Sequence, residues 1–342
     1  MAASTGTGNY DAVVQAYNAN DSAFISTGHT VTLTDNVTGC NFFRIDAGAT
    51  LVGGGFSITI DNDSSDNSFI NNGTISGVLD VIITNPNGQS NFNANGQGGN
   101  VRNLTVNNAG AVVTLSGEDQ TLDGNLTITT GELTTNDGSA DRDLTVTGDC
   151  IVGDGAGSVD TSVLTGNASA ISLGSLVINS DGKYDATSGT TTITNEKSGH
   201  AWKNNGGTFT HNNGKVLVDF DTGNLAGDTE VKENTFYDLE VKLDSAAYEL
   251  RLEDHSSTNA MDILNNLTVT KGIFDTKTKS DTLTLHGQTI IESDGVFTEA
   301  DHDTNKIIHN GIVRNSGTYK INDGTTVKMN AGIRNLGTIT VA

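Results

Sequence analysis

Three pairs of aspartates stand two residues apart in the chain: Asp141 with Asp143, Asp219 with Asp221, and Asp301 with Asp303. On a strand, residues i and i+2 share a face roughly 7 Å apart, a separation that carboxylates use in glycoside hydrolysis. The chain holds 41 acidic residues, however, so such pairs arise by chance. Sugar-cleaving clefts also carry stacking aromatic rings, and here aromatics are 5% with one Trp. The pairs therefore read as solvated corner acids before they read as a catalytic dyad. For metals, Asp301-His302-Asp303-Thr304-Asn305 places oxygens at alternating positions, like the start of a calcium loop. Lys306 then stands where such a loop needs its turn glycine, and Ile312 where it needs its bidentate glutamate, so this is not an EF-hand. Asp61, Asp63 and Asp66 form a second set able to hold calcium, weighed against plain solvated acids. No other cofactor is implied. The seven histidines are dispersed, and no H-E-x-x-H, C-x-x-C or G-x-S-x-G occurs. Gly53-Gly54-Gly55 opens no helix and reads as a tight corner, not a phosphate loop. His200, Trp202, Phe209 and His211 make the one local aromatic cluster, a ligand or contact patch set against an ordinary coil corner. The expectation is a chain without catalytic residues.

The elements that must position these residues are short alternating strands. Asn103-Leu104-Thr105-Val106, Asn125-Leu126-Thr127-Ile128, Asp143-Leu144-Thr145-Val146 and Asn266-Leu267-Thr268-Val269 are variants of one tetrad. Ser175-Leu176-Val177-Ile178 and Asp238-Leu239-Glu240-Val241 are looser copies. Each sends an apolar side chain to one face and, in most copies, Thr to the other, as in a half-buried strand. A second motif, Asn-x-Gly-Thr plus an apolar residue, begins at Asn71, Asn205, Asn315 and Asn335. Its last two copies are 20 residues apart. A period near 20, built of strands and turns without helices, marks a solenoid. Asp-Gly and Asn-Gly corners such as Asp123-Gly124 and Asp294-Gly295 agree with it. Those dipeptides also make hairpins, so an antiparallel sandwich is the rival. The parallel coil is preferred because about 20 residues suffice for three strands and three corners. Asn doublets such as Asn71-Asn72, Asn107-Asn108 and Asn265-Asn266 also suit amide ladders between coils, and one Pro in 342 residues leaves backbone N–H groups free to donate to the next coil. The expected body is an all-β, single-chain parallel β-helix (β-solenoid), on the order of 70 Å long at about 4.8 Å per coil.

Residues 1–28 are expected to form a cap. Tyr10, Val13, Val14 and Tyr17 follow helical spacing behind Asn9 as N-cap. Residues 29–342 form the solenoid, acidic to about residue 182 and more evenly charged afterwards. The net charge of -23 argues against non-specific nucleic-acid binding and against docking on anionic membranes. No stretch approaches the roughly 20 apolar residues of a membrane span. The N-terminus lacks the basic and apolar regions of a signal peptide, so the protein is expected either to stay in the cytoplasm where it is made or to have lost a leader, with Met-Ala-Ala-Ser favouring a natural start. Cys40 and Cys150, without metal spacing, read as small buried hydrophobes. The chain stops in strand texture at Ile339 and Val341. That end, with Ile333, is expected to be an assembly surface covered by another copy or a partner, while the acidic half faces solvent.

The alternation of Asn-Leu-Thr-Val/Ile strands with Gly-Thr-Phe and Asp-Gly corners over residues 29–342 resembles two groups. One is the β-helical structural proteins of bacteriophage virions, among them fibres, spikes and head-surface proteins of marine phages. The other is the passenger regions of bacterial autotransporters and adhesins. The first resemblance implies a non-enzymatic virion rod for head decoration, fibre or attachment, made in the host cytoplasm. It would assemble as a homo-oligomer (a trimer among the options), with other virion proteins and a host surface glycan as partners. The alternatives it leaves open are a tail spike or surface depolymerase, and a secreted adhesin.

Overall fold

The computed structural model describes residues 9–10, 21–61, 67–84, 89–96, 98–157, 161–220, 229–233, 235–252, 260–276, 282–298, 306–322 and 326–341. The chain is an all-β parallel solenoid of about 12 turns. It divides into two compact units, one of residues 1–171 with 179–185 and one of residues 172–178 with 186–342.

Within the first unit, three strands make a turn and each lies on its counterpart one turn earlier. Asn67–Asn71 pairs with Val37–Ile45, Thr74–Ser76 with Thr50–Val52, and Leu79–Ile83 with Phe56–Ile60, all parallel. Alternation then builds the core, because every second side chain points inward. Phe43, Phe69 and Phe92 stack on successive turns with ring centroids 5.9 and 5.8 Å apart. Leu104, Leu126 and Leu144 are buried, as the tetrad pattern requires. The long strand Asn103–Leu115 bends at a corner, with shifts of register between Val106 and Val112. Gly131 sits at that corner on the next turn with φ +103°, where a Cβ would stand 2.5 Å from the Asn108 carbonyl oxygen. Only glycine satisfies both demands there.

The second unit repeats the plan. Thr326–Met329, Ile333–Asn335 and Thr338–Val341 pair in parallel with Lys306–His309, Val313–Asn315 and Thr318–Ile321. Leu176 and Leu267 are buried. The rings of Phe274, Phe297 and Tyr319 form its internal aromatic row, with centroids 5.7 and 5.2 Å apart.

Two expectations need amendment. Turns are not uniformly near 20 residues: Val313 pairs with Ile333, but Gly131 pairs with Ser162. Corners accept long insertions because only the strands must stay in register. No helix occurs among the described residues. Tyr10 lies instead in the short strand Asn9–Tyr10, paired in parallel with Thr30–Thr32, and Val13, Val14 and Tyr17 lie outside the described residues.

Candidate functional site

The candidate carboxylates are engaged in holding turns together. Asp143 accepts the Ala170 N–H at 2.7 Å, while Asp141 accepts the Asn136 side-chain amide at 2.7 Å. Asp219 takes both of its oxygens to Lys242 Nζ, at 3.0 and 2.9 Å. Asp61 accepts the Gly39 N–H at 3.0 Å. Asp63, Asp66, Asp221, Asp301, His302 and Asp303 lie outside the described residues. Among the described residues no group of three or more His, Cys, Asp or Glu is placed to hold a metal ion.

Of the four residues of the aromatic cluster, the solenoid brings Trp202 and Phe209 together and sends His200 and His211 elsewhere. Trp202 is fully buried, packed edge-on against Phe209 at 4.8 Å and Phe236 at 5.4 Å. Its indole N–H donates to the buried carboxylate of Glu233, which also accepts from Asn204. A register shift between His200 and Trp202 turns both Ala201 and Trp202 inward. His200 instead meets Glu230 at 3.2 Å, and His211 stacks on Tyr237 at 5.6 Å. Trp202 is thus a core residue and not an exposed platform. The exposed ring that sequence reading overlooked is Phe24, which is 50% exposed with the Arg44 guanidinium 5.0 Å over it. Its partner Arg44 arrives from the next turn, which no local spacing reveals.

At the other end of the described chain, Ile333, Ile339 and Val341 are exposed, Val341 by 71%. They share the last described turn.

Three polar groups have shifted pKa values, two of them inside and one in a turn. Asp181 is buried. Burial pushes its pKa up, but N–H bonds from Gly155 at 2.7 Å and Asp154 at 3.2 Å prevail and hold it below the usual carboxylate value. Asp137 is held far below the carboxylate range by the Ser139 hydroxyl, then by Arg142 and two turn N–H groups. His309 is fully buried, between Thr289 Oγ1 at 3.0 Å and Tyr319 OH at 2.9 Å, and burial lowers its pKa to about 4. It is neutral at pH 7, with one ring nitrogen donating and the other accepting.

The tetrad's first residue has a role that its apolar pattern concealed. Asn103 Oδ1 accepts the N–H of Asn125 one turn later, and Asn125 Oδ1 accepts that of Asp149. Asp238 does the same for Asn266, and Asn266 for Gln288. Each side chain thus replaces a backbone acceptor at a corner where the ladder breaks off. The signal was in the sequence, since Asn or Asp opens five of the tetrads. Amide ladders between Asn side chains also occur, at Asn315–Asn335 and Asn310–Asn330, both 2.7 Å. Asn71, from one of the doublets, instead donates to the Ala94 carbonyl and accepts from the Gly73 N–H. Cys40 and Cys150 are buried free thiols, and burial raises the Cys150 pKa.

Comparison with protein-family models, curated proteins and solved structures gives no match. A β-solenoid of this construction fits a rigid structural or fibre-like role.

Proposed function

We propose that this chain is a non-enzymatic structural protein of a bacteriophage virion, a β-helical element for head decoration, fibre or attachment. The observation that carries the reading is the use made of polar chemistry. Asp143, Asp219, Asn103, Asn125 and Asp238, the residues that could have lined a cleft, all bond across neighbouring turns. Such a molecule devotes its carboxylates and amides to holding shape, which suits display and reinforcement. The repeat texture over residues 29–342 resembles phage fibre and head-surface proteins, and that resemblance supplies the virion part of the reading. The exposed Ile333, Ile339 and Val341 are the residues assigned to assembly, with another copy or a second virion protein as partner.

The test is mass spectrometry and imaging of purified particles from the source that encodes the chain, with and without its gene. Presence of the chain on the particle, and loss of a surface feature on deletion, are the expected results. Absence from particles would overturn the virion assignment. Release of reducing ends from a host polysaccharide, abolished by Asp219→Asn, would overturn the non-enzymatic part.

A further inference from the structure

In a chain of net charge -23, one stretch has the opposite character. Among the described residues of 306–341 there are five basic side chains, Lys306, Arg314, Lys320, Lys328 and Arg334, and no Asp or Glu. All five are exposed, and none is ion-paired to a described residue. Several basic residues of earlier turns are neutralised locally: Arg102 by Asp80, Arg142 by Asp137, Lys242 by Asp219. Arg314 and Arg334 are also direct register partners on adjacent strands, so their charges stack one turn apart. Like charges placed opposite each other across a ladder destabilise it. Among the described residues no acidic side chain is ion-paired to this stack.

The first unit carries a stack of the opposite sign. Asp119 and Asp143 stand on successive turns, tied by a bond from the Asp143 N–H to Asp119 Oδ1 at 2.9 Å. Both are exposed, and no described basic side chain pairs with either. Successive turns of a parallel ladder rise by about 4.8 Å wherever they occur. Two stacked guanidinium groups therefore match two stacked carboxylates in pitch as well as in sign.

We propose that the Arg314–Arg334 stack docks on the Asp119–Asp143 stack of a second copy of this chain. The contact is independent of the virion reading, and it gives the acidic half a binding role that the sequence alone did not suggest. It is heterologous, since each copy keeps one unused stack of each sign, and so it closes into a ring or extends into a chain of copies. The two guanidinium groups supply planar forks suited to carboxylates, which lysines would not. A tail-to-tail pairing of two basic regions is disfavoured by the same charges.

Salt separates this contact from general repulsion. At roughly 0.15 M the screening length is about 8 Å, which mutes the repulsion of two distant acidic bodies but spares pairs in contact; at about 1 M it is about 3 Å. Sedimentation velocity of the full chain is expected to show self-association at the lower salt, weakened at least tenfold at the higher, in rough accord with tenfold per 1.4 kcal/mol. Arg314→Glu with Arg334→Glu, and separately Asp119→Arg with Asp143→Arg, are each expected to give monomers. Mixing those two variants restores the original pairing and adds its charge-reversed counterpart, so the mixture associates although neither variant does alone. Thermal melting of each variant confirms that it is folded. A parent chain that stays monomeric at the lower salt overturns the proposal. So does either folded variant associating as tightly as the parent, or a mixture of folded variants that does not associate.

Discussion

Acidification should weaken the second unit through His309. The imidazole is fully buried, with Leu285 and Met329 as its register partners on the turns to either side. Its ring nitrogens meet the hydroxyls of Thr289 and Tyr319, and the Phe297 and Tyr319 rings lie 5.8 Å away. No carboxylate is among these contacts to stabilise an imidazolium. In the unfolded chain the group titrates near 6.5, and in the fold near 4. Between those values the unfolded chain binds a proton that the folded chain refuses, so stability is full above about pH 6.5 and falls as pH drops toward 4. A difference of about 2.5 units, at about 1.4 kcal/mol each, is worth roughly 3 kcal/mol. The assay is guanidinium unfolding of the parent and of His309→Gln from pH 7 to pH 4. Other carboxylates titrate in both proteins, so the difference between them isolates His309. The parent should lose about 3 kcal/mol more than the variant across the window. Carbon-13 resonances of the histidine ring should show His309 still neutral at pH 5. A ring that titrates near 6.5, or a parent-to-variant difference independent of pH, would refute the reasoning.

Asn125→Ala removes the acceptor for the Asp149 N–H at an exposed corner; a loss of about 0.5 to 1.5 kcal/mol is expected in chemical unfolding, with Asn125→Asp keeping most of the stability. Trp202→Ala empties the core beside Phe209 and Phe236 and strips a donor from Glu233. It should cost about 3 to 5 kcal/mol, and Trp202→Phe should cost less while still reporting the lost indole bond. Gly317→Ala would drive a Cβ into the carbonyl oxygens of Glu292 and Gly295, whereas a Cβ at Gly332 meets nothing within 4 Å. The Gly317 variant should therefore melt well below the Gly332→Ala variant, whose deficit comes only from its φ of +88°.

How far the fold was legible depended on whether its cause was local. Leu104, Leu126, Leu144, Leu176 and Leu267 were readable because alternation alone decides which way a strand residue points, and all five are buried. Gly53-Gly54-Gly55 was readable as a corner, since positive φ is a property of one residue, and Gly54 and Gly55 stand at φ +63° and +88°. What depended on the next turn was not. The acceptor role of Asn103 and Asn125 needs the register of Asn125 and Asp149 above them, which the sequence does not state. Trp202 and His211 looked like neighbours because nine residues separate them, yet a register shift and a corner send one to the core and the other to Tyr237. Helical spacing over Tyr10 to Tyr17 misled at Tyr10, where pairing with Val31 outweighs a weak local preference. The more even charge beyond residue 182 was visible as composition, but the stacking of Arg314 on Arg334 appeared only with the ladder.

The corner bonds of the tetrads all run one way. In the pairs Asn103 to Asn125, Asn125 to Asp149, Asp119 to Asp143, Asp143 to Ala170, Asp238 to Asn266 and Asn266 to Gln288, the side-chain oxygen belongs to the earlier residue and the N–H to the later. A finished turn thus presents acceptors already fixed in place to chain that has not yet been ordered. During synthesis, where the N-terminal part emerges first, each of these corners is a template for its successor. The order of translation and the order of folding then coincide, and a ribosome delivering one turn at a time would feed a structure that zips closed behind it. Circular permutation, which makes late turns emerge before early ones, should slow refolding on the ribosome far more than it alters the final stability.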